Sequence, residues 1–317
     1  MIRCGVVLMK FGIQLHQRGW AYPQIKEIWL ECERLGFDYI FAVDHLNQCL
    51  EGWTLISSLA SLTTDIRFGL LVTCNSYRHP PLLAKMASTV DIISNGRLEF
   101  GIGAGDAPKE YEGYGYPFLK ASTRIEQLEE ALHIIKKMWT EERPTYRGKY
   151  YTIKECENEP RPVQKPHPPI WIGSLTGGKM MSRIAAVHAN VYNIGAFRAA
   201  RTPSKFIEKM KILKENCRIV GRKYEDIERT VMFHFTIART KSTLKRKLKE
   251  DTKQIRVPIS VEEYMERSLH GTPENIAERI KEYADVGMQG VVIIFPRNKT
   301  IEDLRLFSEV IQQFKDV

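Results

Sequence analysis

The segment FGIGAGDAPKEY (100–111) places an acidic side chain directly behind glycines that follow an apolar run. Glycines let a backbone approach a ligand closely, and a carboxylate beside them can exchange protons. A dinucleotide-binding loop requires the spacing G-x-G-x-x-G at the start of a helix. The spacing here is G-x-G-x-G, and Pro108, Gly113 and Gly115 predict an irregular chain until about Ser122. The segment therefore favours the catalytic end of a different kind of strand.

A second polar pair, Asp44-His45, directly follows the apolar run YIFAV (39–43). Charge at the end of a buried strand is costly unless a partner satisfies it. An imidazole also exchanges a proton near neutral pH, so the pair indicates acid/base chemistry. A histidine that is merely packed is the alternative. The further histidines or acidic ligands of a metal site are missing from the strand ends, so we expect no metal ion there.

A loop of small and hydroxylated residues, Gly173 to Gly178, precedes a helical pattern. Its backbone N–H groups and the hydroxyls of Ser174 and Thr176 are suited to a phosphate, because the positive end of a helix dipole lies behind them. A turn that only caps the helix remains an alternative.

The scaffold that positions these residues is predicted from alternating strands and amphipathic helices. Continuous apolar runs indicate strands buried on both faces, as in a parallel sheet. Eight strand–helix pairs predict an α/β protein, a (β/α)8 TIM barrel with its site at the carboxyl ends of the strands. The predicted strands are 11–15, 39–43, 66–72, 97–103, 168–174, 190–195, 230–238 and 291–296.

The chain is expected to form a single domain over residues 1–317 with two insertions. The first, at about 143–167, is aromatic and proline-rich and predicts a short hairpin and an extended arm. The second, at about 239–272, carries a basic segment. Residues 1–8 are expected to be a leader that adds little to the fold.

The net charge and the cysteines limit the classes of partner and the compartment that we expect for the chain. The net charge is +9, partly from the basic stretch 241–256, which we interpret as a solvated helix or insertion. No nucleic-acid-binding module accompanies it, so nucleic acid is not expected, and an anionic small ligand remains possible. No segment has the length and apolarity of a membrane span. Six cysteines without a C-x-x-C pair argue against a zinc or disulfide framework and suit a reducing cytoplasm.

The segment RFGLLVTCNSYRHPPLLAKMASTVDIISNGRLEFGIGAG, with FAVDHL before it and KPHPPIWIGS after it, resembles the bacterial-luciferase-like flavin and deazaflavin oxidoreductases. It is most similar to the branch of coenzyme F420-dependent oxidoreductases. The resemblance extends to GTPENIAERIKEYADVG near the end of the chain. It implies a luciferase-like TIM barrel and hydride transfer between F420 and a small organic substrate. FMN is the alternative cofactor, and members of the family are commonly homodimers.

The resemblance also implies a cofactor site. In this family the third strand ends in a non-prolyl cis peptide behind the cofactor ring, and the matching bond here is Cys74-Asn75. Asp44 is implied to hold the cofactor's edge, and Lys109 with the stretch 241–256 to form a basic rim. The remaining implied contacts are Ala104 and Gly105, which let the backbone approach the ring, and Gly173, Ser174, Thr176 and Gly177, which bind its phosphate.

The catalytic pair implied by the resemblance is His45 with Asp106. GAGDAPKEY is similar to the GTGEALNEY segment of deazaflavin-dependent sugar-phosphate dehydrogenases, whose acid/base pair matches these two positions. Asp106 is one methylene shorter than the glutamate of that subfamily, and Lys109 replaces its asparagine. The subfamily's substrate-phosphate lysines have no counterpart motif here, so a sugar phosphate is not predicted.

Three alternatives for the function stay open. The chain could be an FMN-dependent monooxygenase that uses reduced flavin and oxygen. It could be a non-catalytic flavin-binding relative. A barrel isomerase that uses only the phosphate loop is a further possibility.

Overall fold

Eight parallel strands pair edge to edge into a closed ring in the computed structural model of the chain, which confirms the predicted (β/α)8 barrel. The structure describes residues 9–47, 49–255 and 258–315, so the expected leader at 1–8 lies outside the described residues. The strands are β1 (Lys10–Leu15), β2 (Tyr39–Ala42), β3 (Arg67–Leu70), β4 (Thr73–Cys74), β5 (Leu98–Gly103), β6 (Tyr146–Arg147), β7 (Thr152–Ile153), β8 (Ile170–Ser174), β9 (Val191–Gly195), β10 (Glu228–Ile237), β11 (Ser268–Gly271) and β12 (Gly290–Phe295).

The ring runs β1-β2-β3-β5-β8-β9-β10-β12 and closes where β12 pairs with β1. All of these pairings are parallel, so the carboxyl ends of the strands meet at one face of the barrel. The residues predicted for the site lie at the carboxyl ends of the strands or in the segments that directly follow them.

Eleven α-helices lie in the described part of the chain, and the long ones that follow the strands cover the outside of the ring. The eleven helices are α1 (Tyr22–Arg34), α2 (Gly52–Ala60), α3 (Pro80–Ile93), α4 (Pro108–Gly113), α5 (Ala121–Thr140), α6 (Lys179–His188), α7 (Pro203–Val220), α8 (Lys241–Thr252), α9 (Val261–Glu266), α10 (Pro273–Ala284) and α11 (Ile301–Lys315). Their ends follow local chemistry. Thr202 caps α7 by accepting from the Lys205 N–H at 3.3 Å, and Gly221 ends the helix with φ of 72°. Among the described residues, no helix has the length and apolarity to cross a membrane.

Aromatic side chains fill the inside of the barrel. Tyr39, Phe41 and Trp171 point into the ring with Val191 and Val292, and all five are buried. Phe41 and Trp171 meet edge to face at 4.8 Å between ring centroids. The outer surface of the strands is also apolar and packs against the helices. Burial on both faces explains the continuous apolar runs that predicted the strands.

Both insertions contain secondary structure. In the first, β6 and β7 pair as the antiparallel hairpin that the sequence predicted. In the second, α8 and α9 precede β11, which pairs with the carboxyl-terminal half of β10.

The third barrel strand carries an extra residue. Gly69 pairs with Glu99, an offset of 30, whereas Thr73 pairs with Ile102, an offset of 29. Residues 70–72 therefore oppose only 100–101, which defines a bulge between β3 and β4. The bulge is held by the Leu71 N–H, which donates to the Ala42 carbonyl at 3.0 Å.

The predicted cis peptide at Cys74-Asn75 is wrong, because the non-prolyl cis bond lies within this bulge, at Leu71-Val72. Cys74 instead pairs with Gly103 in β5, so regular strand structure resumes before the predicted bond. The departure from strand geometry occurs where the pairing is interrupted, and it lies three residues earlier than the resemblance implied.

Candidate active site

Asp44 ties the end of β2 to the loop that follows β4. Its carboxylate accepts the Cys74 N–H at 2.9 Å and both ends of the Arg78 guanidinium, at 2.7 and 2.9 Å. Asp44 is buried. Burial opposes the charge on Arg78, but the contacts with Asp44 and Glu51 outweigh it and raise the pKa of Arg78. A bidentate pair of this kind fixes the geometry of both loops.

His45, the next residue, contacts Glu110 rather than Asp106. Its Nδ1 lies 3.0 Å from Glu110 Oε1, and the glutamate side chain is 5% exposed against 24% for the histidine. The same carboxylate accepts the Tyr77 hydroxyl at 3.1 Å and the Leu46 N–H at 3.3 Å. A carboxylate only accepts hydrogen bonds, so Nδ1 carries the proton and Nε2 is left to exchange one. The pair is therefore a carboxylate-oriented imidazole.

Glu110 lies on a helix that the sequence reasoning did not predict. The chain was expected to be irregular from Pro108 to about Ser122, and this expectation is wrong, because α4 spans Pro108–Gly113. Proline at the first helical position is favoured, since its missing N–H has no helical partner to lose. The short helix buries Glu110, whereas Asp106 and Lys109 are exposed.

Cys74 and Gly105 are held by Tyr111, which follows Glu110 on the same helix. The Cys74 sulfur lies 3.1 Å from the Tyr111 hydroxyl, and burial raises the pKa of Cys74 to about 11, so it is a neutral thiol at physiological pH. Gly105 has φ of +78°, and a Cβ there would lie 2.0 Å from the Tyr111 oxygen. Glycine is therefore required by this contact as well as by the backbone conformation. Arg124 donates to the carbonyls of Ala104 and Gly105, each at 3.1 Å, and so holds the turn.

The bulge places Val72 above the aromatic core of the barrel, between the ends of two other strands. A Cβ on Gly103 would lie 2.7 Å from a Val72 methyl carbon, and one on Gly173 would lie 2.6 Å from the other. The three residues thus form a closely packed floor at the carboxyl-terminal face, and we call Val72, Gly103 and Gly173 the barrel floor.

The predicted phosphate loop leads from this floor into α6. Ser174 is buried, and its Oγ accepts the Gly177 N–H at 3.1 Å. The helix begins after Gly178, and no side chain caps it. Its first N–H groups therefore face outward without a protein acceptor in the described part of the chain, which makes this end suited to an anion. The side chain of Lys209, on α7, packs against the loop at Gly177, since a Cβ on that glycine would lie 2.9 Å from Lys209 Cδ.

Two buried polar atoms beside the floor have no hydrogen-bond partner in residues 9–47, 49–255 and 258–315. Thr73 Oγ1 and Asn75 Oδ1 lack hydrogen bonds, although both residues are almost completely buried. The amide nitrogen of Asn75 contacts the Tyr151 hydroxyl at 3.4 Å. Buried polar atoms without partners are rare in native proteins, so a ligand that donates a hydrogen bond would complete this part of the structure.

Imidazoles continue around the face from His45. The His16 ring lies 5.8 Å from that of His45 between centroids. His234, from β10, packs against Phe197 and Tyr264 at 5.2 and 6.1 Å. Burial, with the nearby charge of Lys299, lowers the pKa of His234 to about 4, so this imidazole is neutral at pH 7.

The structure thus brings together most of the predicted site, with different partners. Asp44, His45, Cys74 and Asn75 form one connected group, and Gly173, Ser174, Thr176 and Gly177 form the loop beside it. Asp106 and Lys109 make no contact with His45 among the described residues. The residues that the sequence reasoning missed are Val72, Tyr77, Arg78, Glu110, Arg124 and Lys209. Glu110 lies within the segment already singled out, and Pro108 as a helix start was the available signal.

Comparison with known proteins identifies a protein family whose sequence profile matches most of the chain. The sequence profile of the luciferase-like monooxygenase family matches residues 3–266. An F420-dependent glucose-6-phosphate dehydrogenase of Microbacterium testaceum (strain StLB037) is 26% identical over 333 residues, which cover 96% of each chain. Pyrimidine monooxygenase RutA of Cronobacter sakazakii (strain ATCC BAA-894) is 33% identical over 187 residues, which cover 58% of this chain and 52% of the relative.

A solved structure shares the fold over nearly the full length. An F420-dependent secondary alcohol dehydrogenase in complex with an F420-acetone adduct superposes with a TM-score of 0.84. The two chains are 16% identical, and the match covers 96% of this chain and 99% of the other. At this identity the likeness supports the barrel alone.

Proposed function

Because the chain belongs to the luciferase-like monooxygenase family, whose profile matches residues 3–266, we propose that it is an oxidoreductase that transfers a hydride between coenzyme F420 and a small organic substrate. The observation that carries the proposal is the His45–Glu110 pair at the carboxyl-terminal face of the barrel. Hydride transfer to or from an alcohol carbon needs a group that takes or returns the hydroxyl proton, and this pair is built for that exchange.

The residues present fit a phosphorylated flavin-type cofactor. The uncapped start of α6, the loop from Gly173 to Gly177 and the ammonium of Lys209 suit a phosphate. The unpartnered Asn75 Oδ1 and Thr73 Oγ1 suit the polar edge of a ring. Val72 fills the space on which one face of a ring would rest. When bound, the deazaflavin supplies a ring carbon that accepts or donates a hydride, and it lacks the nitrogen required for ordinary flavin–oxygen chemistry.

The chain's own residues have separate tasks in this proposal. Glu110 holds the proton on His45 Nδ1, so that Nε2 can accept the proton of a substrate hydroxyl. In the reverse direction the protonated imidazole returns it. Tyr77 keeps the glutamate in place from the buried side, at 3.1 Å. Asp44 and Arg78 brace the loop that carries His45. Asp106 is exposed and makes no contact with His45 in the described part of the chain, so we assign the role of its counterpart to Glu110.

The choice of F420 over FMN is supported by the extent of the similarity. The F420-dependent relative matches 96% of this chain, whereas the pyrimidine monooxygenase matches 58% of it. Titrating the purified protein with F420 and with FMN, followed by fluorescence, tests the choice directly. We expect micromolar affinity for F420 and at least tenfold weaker binding of FMN. Tighter binding of FMN, together with oxygen consumption when it is reduced, would indicate a monooxygenase instead. Binding without hydride transfer to any tested alcohol or carbonyl compound would indicate a non-catalytic relative.

We also propose a homodimer that works in the reducing cytoplasm. The apolar side chains of Leu82, Ile92 and Ile93 on α3 are 56%, 37% and 48% exposed, which suits contact with a second copy. The described cysteines are all free thiols, in keeping with a reducing compartment. The mass of the protein in solution tests the assembly.

A further inference from the structure

We propose that Glu129, His133 and His188 form a binding site for a divalent transition-metal ion of the zinc class, on the outside of the barrel between α5 and α6. One ligand atom from each residue lies within 4.8 Å of the other two. His188 is the last residue of α6 and precedes β9 by three positions, so the site lies at the opposite end of the barrel from the His45–Glu110 pair.

The spacing along α5 presents two of the ligands on one helix face. Glu129 and His133 are four residues apart, and side chains at this separation lie one turn above the other. Histidine nitrogen and glutamate oxygen are the ligands that zinc and its neighbours in the transition series accept at about 2.0–2.2 Å. Three protein ligands leave a fourth position for water.

The independent observation is the state of His188. The residue is 4% exposed, yet neither ring nitrogen has a hydrogen-bond partner among the described residues. Its ring meets that of His133 edge to face at 4.6 Å between centroids. A neutral imidazole has one ring nitrogen with a lone pair, and no hydrogen bond within the described part of the chain occupies it here. A buried imidazole with no partner, aimed at a second imidazole and a carboxylate, is the state expected of a metal ligand.

A small closure would complete the coordination. Tetrahedral bonds of about 2.1 Å separate ligand atoms by about 3.4 Å, compared with the present 4.8 Å limit. His133 is exposed and can rotate to close the gap, whereas His188 is anchored. The ring of Tyr146 stacks on that of His133 at 6.3 Å between centroids.

The surrounding charges limit the affinity. Glu129 is paired with Arg183 at 3.0 Å, and binding a metal would release this arginine, which is 55% exposed and free to move into water. Lys136 and Arg222 also act on His188 electrostatically. Repulsion between these cations and the metal leads us to expect a micromolar dissociation constant rather than a nanomolar one.

The test is calorimetric titration of tag-free protein with Zn²⁺ after dialysis against a chelator. We expect one ion per chain with a micromolar dissociation constant, and a rise in Tm of about 3–5 °C at a hundredfold excess over that constant. His133→Asn and Glu129→Gln should each weaken binding at least tenfold and abolish the rise in Tm. His133 is exposed, so its variant should fold normally.

His79→Asn, which removes an exposed histidine elsewhere, is the matched control and should bind like the wild type. Mg²⁺, which prefers oxygen ligands, should not bind here. The proposal is overturned if Zn²⁺ at 100-fold over about 1 µM produces no binding heat. It is also overturned if both site variants bind as tightly as the wild type, because the ion would then lie elsewhere.

Discussion

Replacing Glu110 by glutamine should slow turnover by about 10- to 150-fold while leaving the fold and the affinity for the cofactor intact. The carboxylate accepts three hydrogen bonds, from His45, Tyr77 and Leu46, at 3.0–3.3 Å. A hydrogen bond to a charged group contributes about 1.5–3 kcal/mol. If the hydrogen bond between His45 and the charged carboxylate is lost only when His45 becomes protonated, the activation free energy of turnover rises by the same amount. That rise corresponds to the slowing of about 10- to 150-fold.

The amide must also adopt one orientation. The Leu46 N–H can only donate, so it selects the amide oxygen at the position of Oε2. The amide nitrogen then replaces Oε1, 3.0 Å from His45 Nδ1, and donates to it. The amide oxygen at the Oε2 position still lies 3.1 Å from Nδ1, so the glutamine offers Nδ1 one donor and one acceptor instead of two acceptors. The tautomer with its proton on Nε2, which cannot accept a substrate proton, then becomes populated. We therefore expect the loss in kcat rather than in KM.

The assay is steady-state reduction of F420 with a confirmed alcohol substrate, with Tm and cofactor affinity measured on the same samples. Glu112→Gln is the matched control, because Glu112 lies on the same helix and is exposed. It should behave like the wild type. His45→Ala should lose about 10²–10⁴-fold, and Asp106→Asn should change turnover by less than threefold. A Glu110→Gln enzyme that works within twofold of the wild type, beside a slow His45→Ala enzyme, would refute the role given to this carboxylate.

The other predictions concern stability, cofactor binding and assembly. Because the pKa of His234 is lowered from 6.5 to about 4 in the folded state, its contribution to stability is complete above pH 6.5 and is lost as the pH falls towards 4. The loss amounts to about 2 kcal/mol at pH 5. Urea unfolding at pH 7 and pH 5 should show that His234→Gln loses less stability on acidification than the wild type, and equal losses contradict the assignment. Lys209→Ala should weaken F420 binding about fivefold, and more at low salt than at high salt, whereas Lys211→Ala on the exposed side of α7 should not; equal effects in a fluorescence titration would remove Lys209 from the phosphate site. Ile93→Glu should convert the dimer to a monomer, as measured by light scattering. Ile219→Glu, the same substitution at a position that is 66% exposed, should leave the mass of the dimer unchanged.

The barrel was predictable because its signal is repeated. Eight apolar runs recur along the chain, and each predicted strand overlaps the observed one, with ends that differ by no more than two residues. Asp44 and His45 were found for a related reason, since charge directly after a buried run is conspicuous. Such signals belong to single segments and need no knowledge of how the segments pair.

The parts that were missed depend on pairing and distance. Glu110 lies on a helix of six residues, which is too short for an apolar period to appear. The bulge is a difference in register between β3 and β5, so it cannot be identified from either strand alone. Lys209 reaches the phosphate loop from α7, more than thirty residues further along the chain. Contacts of this kind exist only after the ring has closed.

The extra residue in the third barrel strand allows the ligand-binding surface to change while the pairing of the barrel strands is kept. It lies between two stretches of intact pairing, 68–69 below it and 73–74 above it, so the hydrogen-bonded ring does not depend on it. Removing one residue would restore a regular ladder in which Thr73 and Cys74 still pair with Ile102 and Gly103, and it would remove the bulge that presents Val72. Substitutions at Val72 would only change the size of the floor. During divergence within this fold, a gain or loss of one residue here would exchange one ligand-binding surface for another in a single step, whereas point mutations would adjust the surface gradually.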